Sequence, residues 1–562
     1  MSMRPTSTRS LPRPFTRRTF LKTTSMGVAA LQLGARRLLA DDLTTGATGN
    51  TVLPEPMPPE TLRTLAACAL EAAKAAGATY ADVRVASHQW LAIELSPGAD
   101  QPAVLSDAGF DMGIRAMVDG AMAFVYRHVP NVDAAAAMAR NAVASARGFS
   151  RVLLHPIELV PAPALTGEWS TPMQIDPFTV PVKEQAAVLG GWQAAAKQVK
   201  YGEVSSTKAQ WARETRVFAS TEGAMLTQQF MRLDQPVFVQ GVVGLSRCGL
   251  SVDGMTNSSG GYELLLAPDV HERIVARTEE AVRFAWMPAT TIDVGRYDVI
   301  TTGAATAALA ARMLGPAFEL DRALGEEVAG GGTTYAMPPA DVIGTSLLSP
   351  RVTMHVSRTA PTSALQKWDD EGVECSSFPV VEHGQLVDYY TTRHTAGALR
   401  AWYAKTGRAL RSNGSAIAPT AAHAPAAWAG DLTLAPSAES TTVDELCRGV
   451  TKGILLHCPD YRFWQYTMLD QQLTSVQVND GVSLMLQLER GRPVRRVLLA
   501  NLQVATKTFW GKSLKAIGGA ATVDYATQVN AKGIPSYEML VHASAPAAHF
   551  TDVNVIRIGG AG

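Results

Sequence analysis

The chain reads as an α+β protein. Three features say so: helices mixed with a hairpin through the first half, short strands dominating the second half, and one Ala-rich helical stretch between them. The first part reads as one or two sandwich-like α/β domains. The second reads as a large, mostly antiparallel β domain that carries the central helix.

Taken in order, residues 59–76 place Leu62, Leu65, Ala69 and Ala72 at helical spacing, so a helix opens the folded part. Strands are expected at 81–86 and 90–95, where apolar residues alternate, and at 110–118. Asp119-Gly120 is a hairpin turn signal that returns the chain as a strand over 121–126. An amphipathic helix comes next at 132–147. Residues 155–180 are proline-rich and extended; 183–200 is a helix, 201–265 alternates as strands, and 267–284 is a helix again. A strand at 297–301 leads into the central stretch, 301–333. Its Ala304, Ala308, Ala311, Leu314 and Phe318 form one helical stripe, Gly315-Pro316 should kink it, and a Gly-rich turn should close it. Short strands are expected beyond it at 351–357, 378–382, 385–390, 483–489, 494–501 and 553–558, with turns at His383-Gly384 and Arg490-Gly491. The organisation expected is a signal at 1–40, a linker at 41–58, an α+β domain at 59–150, a middle domain at 151–290 and a β-rich domain at 291–562.

At 562 residues, 47% hydrophobic and 18% charged, the chain has length for several cores. Residues 1–40 carry eight basic residues and no acidic one, and Thr16-Arg17-Arg18-Thr19-Phe20-Leu21-Lys22 fits the twin-arginine export pattern. Export by that route, to the periplasm or another extracytoplasmic space, is the expectation. Without this segment 42 basic residues face 50 acidic ones, a net of −8, which disfavours nucleic acid as a partner. No later run approaches the roughly 18 apolar residues a membrane-spanning helix needs. The five cysteines, Cys68, Cys248, Cys375, Cys447 and Cys458, are scattered and include no CxxC pair.

Several blocks, in order, resemble the TldD/PmbA family, once described as modulators of DNA gyrase and understood as metalloproteases. Ala81-Asp82-Val83-Arg84 with Gly113-Ile114-Arg115-Ala116-Met117-Val118-Asp119-Gly120 is similar to the family's N-terminal hairpin. Asp369-Asp370-Glu371-Gly372 with Val380–Leu386 after it is similar to the family's "DDEG…LIENGVL" block. Thr391–Ala396, Gly407-Arg408 and Arg411–Gly414 fit the family's polar stretch, and Val555–Gly560 fits its ending, so the likeness covers residues 60–562.

The resemblance implies an HExxxH helix with two His ligands and a Glu base, completed by a C-terminal Cys; zinc so held acidifies a water. Aligned on Gly315, Glu319 and Asp321, the ligand slots fall on Ala311 and Pro316, the base slot on Arg312, and the cysteine slot near Pro535. Residues 272–354 contain no His, and His271-Glu272 lacks a second His at the required spacing. No catalytic residue and no resident cofactor is therefore expected, with zinc present only in a sibling subunit or a relocated site. His542 and His549, with His383, His394 or His457-Cys458, are the weak alternative ligands. Asp369-Asp370-Glu371 reads as a solvated acidic turn or a structural motif, with acid/base or hard-cation chemistry as the other option. Trp368, Trp402, Tyr403, Tyr461, Trp464 and Tyr466 are candidates for a peptide groove or for core. The resemblance implies a non-catalytic subunit that pairs with a TldD-like catalytic sibling, or a homodimer, and binds extended peptide. The alternatives are an active hydrolase with a relocated metal site, and an exported peptide-binding protein that keeps only the fold.

Overall fold

The computed structural model describes residues 56–557 except 100, 129–130, 236, 253–256, 331, 459–463, 469–470, 478–483 and 534–535. The signal segment, most of the linker, Tyr461, Pro535 and Gly559-Gly560 lie outside the described residues.

Helix α1 (Pro59–Ala75) starts on a proline, whose missing N–H falls where a helix has no acceptor to offer. It buries Leu62, Leu65, Ala69 and Ala73. Next come β1 (Tyr80–Leu95), β2 (Ala103–Val118), β3 (Ala121–Arg127) and α2 (Val132–Ser150). They are followed by β4 (Thr166–Ser170), α3 (Val182–Lys197), β5 (Gly202–Ser220), β6 (Met225–Asp234), β7 (Val237–Val243), β8 (Ser246–Ser251) and α4 (Val270–Ala285). β1 is one 16-residue strand where two were expected, because Ser87, His88 and Gln89 keep the ladder with both neighbours.

The sheet order is β3-β2-β1-β5-β6-β4, with β7 on β5 and β8 on β7. Since β1 pairs with β2 on one edge and β5 on the other, residues 59–150 and 151–290 share one sheet, and no boundary at 150 divides it. α1 and α2 pack Leu62, Leu65, Met138 and Val143 against Val83, Val85, Ile114 and Val217. The β2–β3 turn is the expected tight one: Asp119 and Gly120 have φ of 50° and 75°, the left-handed pair that matches strand twist.

The second half holds two large sheets. The elements that matter for the site are β9 (Gly295–Thr301), α5 (Gly303–Met313), β10 (Met354–Ser357), β11 (Phe378–Glu382), β12 (Asp431–Leu434), β13 (Lys452–Cys458), β14 (Asp524–Lys532), β15 (Tyr537–Ala545) and β16 (Ala548–Arg557). The ten-stranded sheet has β9 at its middle, parallel to β13 on one side and antiparallel to β16 on the other. The six-stranded sheet runs Gln385–Leu386, β11, β10, β12, β15, β14, so β14 is an outer strand. α5 lies between the two, touching β14 and β15 of one and β13 and β9 of the other.

The central helix differs from its expectation in two ways. It spans 11 residues rather than most of 301–333, and every one of them except Arg312 is buried, so there is no single stripe. Six alanines and a glycine leave little side chain between helix and strands; a Cβ on Gly303 would sit 2.2 Å from the Thr522 carbonyl oxygen. Pro316 has no N–H to continue the helix, and the Gly315 N–H instead reaches the Ala310 carbonyl at 3.1 Å. A 3-10 turn (Pro316–Phe318) and a four-residue helix (Leu320–Ala323) come after it. Among the described residues no helix is long and apolar enough to cross a membrane.

Candidate functional site

The slots on α5 are filled by side chains that hold the fold. Ala311 is fully buried, and its carbonyl accepts Asn530 Nδ2 at 3.0 Å. Arg312 donates Nη1 to the Val529 carbonyl and, at 3.1 Å, to Asn530 Oδ1. Burial pushes the Arg312 guanidinium down to about 10, with Glu538 opposing and Arg322 reinforcing the drop. Pro316 is buried in the turn. A methyl group, a guanidinium and a pyrrolidine ring have no electron pair for a metal. The α5 residues therefore do not fit zinc, and no chemical step can run through a metal held by them.

Just beyond, Glu319 and Asp321 surround a cation that the chain supplies itself. Lys532, at the end of β14, has a fully buried side chain. Its Nζ donates to Glu319 Oε2 at 3.0 Å, Asp321 Oδ1 at 2.7 Å and the Ala427 carbonyl at 2.7 Å. Arg322 Nε reaches the same Glu319 oxygen at 3.1 Å, and Asp321 Oδ2 accepts the Ala427 N–H at 3.0 Å. Burial alone would lower the Lys532 ammonium, but Asp321 and Glu319 outweigh it and hold it above the usual lysine range. Glu319 is still raised, first by burial, with Lys532 and Arg322 opposing and the Asp321 carboxylate beside it adding to the rise; its Oε1 is buried with no hydrogen-bond partner among the described residues.

Arg312, Pro316, Arg322, Glu327, Lys532 and Gly533 line a cavity of about 170 Å³. The end of α5, the 322–332 loop and the end of β14 thus meet at one place. Lys532, Arg322, Asn530 and Glu327 were not singled out in the sequence. One signal was available for two of them: Gln528, Asn530 and Lys532 recur at period two and all point inward, an inward polar row that needs buried partners.

The Asp369–Gly372 block is buried rather than solvated, and its carboxylates face arginines of the first sheet. Asp370 Oδ1 accepts Arg216 Nη1 at 2.6 Å, and Glu371 Oε1 accepts Arg115 Nη1 at 2.7 Å. Arg115 also binds Asp82 on β1, at 2.5 Å. Asp369 accepts the N–H groups of Glu371 and Val373 at 2.9 Å and of Ala416 at 3.1 Å. Arg393, from the polar stretch, pairs with Glu222 at 2.8 Å and gives its own N–H to Glu371 Oε2 at 2.6 Å. Gly372 has φ +77°, and a Cβ there would lie 2.5 Å from Phe218 Cε1 of β5, so only glycine lets the turn press on the sheet. These acids are committed to arginines and backbone N–H groups, which makes them a clamp between the two halves. Trp368 packs with Phe218 and Leu226, Trp402 bonds the Val387 carbonyl and Tyr403 bonds Asp388, so these three are core.

The alternative histidines are dispersed. His542 Nε2 is 2.7 Å from Ser363 Oγ and its Nδ1 is 2.9 Å from Thr527 Oγ1. That order suggests a nucleophile, a base and an orienting group, but burial and then Arg358 push the imidazole down to about 3, too weak a base to take a serine proton. His549 lies beside Asp298, His394 beside Glu326 and His457 beside Glu280. Among the described residues no three His, Cys, Asp or Glu side chains are placed to hold a metal ion.

Residues 294–556 match the family model described as the PmbA/TldA metallopeptidase C-terminal domain. Three solved structures are similar in fold, each 14% identical. A protein described as a modulator of a DNA gyrase, from Thermotoga maritima, has a TM-score of 0.63 over 88% of this chain and 99% of its own. TldE from Thermococcus kodakarensis has a TM-score of 0.61 over 86% and 98%. A second such modulator, from Bacteroides thetaiotaomicron, has a TM-score of 0.59 over 88% and 98%. No curated protein matches the chain by sequence.

Proposed function

The chain belongs, through residues 294–556, to the TldD/PmbA family, and from that premise we propose that it is a catalytically inactive, TldE-like subunit. It binds unstructured peptide and completes a zinc-bearing sibling that does the proteolysis. The observation that carries this reading is the chemistry of the α5 slots and their surroundings. Ala311, Arg312 and Pro316 offer no ligand and no base, and the neighbouring carboxylates Glu319 and Asp321 are engaged by the Lys532 ammonium. A divalent ion entering there would face two guanidinium groups and an ammonium. The wide sheets and the buried clamp between the halves suit a subunit whose task is to shape a peptide chamber.

The test is co-purification with a family chain that keeps HExxxH, and then cleavage of a flexible peptide. Expected are a stable pair, chelator-sensitive cleavage by the pair and none by this chain alone. Cleavage by this chain alone, abolished by a chelator, or about one zinc per purified chain, would overturn the reading. Export by the twin-arginine route belongs to the same proposal: replacing Arg17 and Arg18 by lysine should leave the protein in the cytoplasm, and unchanged export would refute it.

A further inference from the structure

The turn that joins β7 to β8 breaks the usual chemistry of hairpin tips. Val243 pairs with Ser246, so Gly244 and Leu245 alone make the turn. Gly244 supplies the left-handed φ of 61°, and the place after it is ordinarily filled by Asn, Asp or Ser. Here that place holds a fully exposed leucine, and nothing lies within 4 Å of where a Gly244 side chain would start. Two aromatic rings stand beside it. The Ser246 hydroxyl donates to the Ala285 carbonyl at 2.6 Å, which sets the turn against the end of α4, where Trp286 follows. Trp286 is 62% exposed and Tyr201 44%, and their rings meet edge to face with centroids 5.9 Å apart. Tyr201 has φ of 70°, a setting tyrosine rarely adopts, and its carbonyl accepts the Val242 N–H at 2.9 Å. Lys200 Nζ lies 5.1 Å from the centre of the Tyr201 ring.

Charge selects what covers this tip. Residues 197–203, 244–247 and 283–288 carry Lys197, Lys200, Arg247 and Arg283, all exposed, against one acid, Glu203. Arg283 also meets Glu280, one turn back, at 3.2 Å. The basic excess is local, in a chain that is acidic overall after residue 40. A projecting leucine, two aromatic rings with polar edges and a basic rim match the layers of a bilayer surface: hydrocarbon, interfacial zone and anionic headgroups. A stable protein interface needs roughly 800 Å² a side, which a convex tip of three side chains does not supply.

We propose that Leu245, Trp286 and Tyr201 dock the protein on an anionic lipid bilayer without crossing it. The test titrates the purified full chain with vesicles whose lipid tails are brominated and follows tryptophan emission. One set holds phosphatidylglycerol and phosphatidylcholine in equal parts, the other phosphatidylcholine alone. Residues 1–40 are basic and add vesicle binding of their own, but they contain no tryptophan, so the dimming reports on the folded part. Half-maximal dimming should need at least about tenfold less lipid with the mixed vesicles than with phosphatidylcholine alone. Leu245→Asp should raise the lipid needed about tenfold or more. Trp286→Phe should remove most of the dimming. No dimming of the unsubstituted chain, or dimming unchanged in Trp286→Phe, overturns the docking site. Equal titrations with the two vesicle types overturn the anionic surface. Self-association that Leu245→Asp abolishes, without any dimming, overturns the lipid in favour of a second copy of the chain. The comparison of vesicles needs no substitution, so instability of a variant does not spare the proposal.

Discussion

Lys532 shows how one side chain changes what a site can do. A lysine on a β-strand normally points to water, and its position in Ala531-Lys532-Gly533 carries no motif. Only the inward parity it shares with Asn530 marks it. Gly315, Glu319 and Asp321 could be singled out through the resemblance; their partner could not, because a salt bridge across two hundred residues leaves no local signature. Lys532→Met leaves Glu319 and Asp321 buried with Arg322 as their remaining cation, which should cost about 3–5 kcal/mol. Urea denaturation reads this directly, and a loss under about 1 kcal/mol would mean the cage is not what holds the turn. His542 gives a second residue-scale expectation. Its imidazole is held at about 3 in the folded chain against an ordinary 6.5, so the stability it contributes is present above about pH 6.5 and is lost as pH falls towards 3. Between about pH 7 and about pH 5 the unsubstituted chain should lose about 2 kcal/mol more than His542→Gln. Parallel losses in the two proteins would refute it.

Among the elements, tight turns were the most legible. Asp119-Gly120, His383-Gly384 and Arg490-Gly491 all adopt the paired positive φ expected of two-residue hairpin turns. Their conformation is set by two residues and needs no distant partner. The central helix was less legible, since alanine favours helix whatever surrounds it and the burial of every face comes from strands far along the chain. Its early stop at Met313 results from Pro316, where a kink had been expected. α2 offers a clean test of local control: Asn131 Oδ1 accepts the Ala134 N–H at 3.0 Å at its N-terminus. Asn131→Ala should cost about 1 kcal/mol in thermal or urea unfolding, and Asn131→Asp close to nothing. A similar loss in both variants would place the role of Asn131 outside the cap.

For the molecule as a whole, the acidic block joins its halves. Arg115, Arg216 and Arg393 tie β1, β5 and the Glu222 turn to Asp370 and Glu371, all but Glu222 and Glu214 at the edge of the network being deeply buried. Burial would raise Glu214, yet Arg216 and Arg232 hold it at about 2. Such a junction should make the first sheet and the second half unfold together, with far-ultraviolet circular dichroism and tryptophan fluorescence giving one midpoint. Arg115→Met, which leaves Asp82 and Glu371 without that cation, should cost about 3–5 kcal/mol and separate the two midpoints. One shared, unshifted midpoint would show that packing rather than charge joins the halves. The composition and the order of motifs carried the α+β class; the junction did not show, because an acidic triplet reads the same exposed or buried. The place of β16 has a further consequence. The middle of the ten-stranded sheet is completed by a strand translated after almost everything it joins, Val553 beside Tyr297. While the ribosome is still working, β9 must wait with one edge bare, and the second half can close only once synthesis has run through β16.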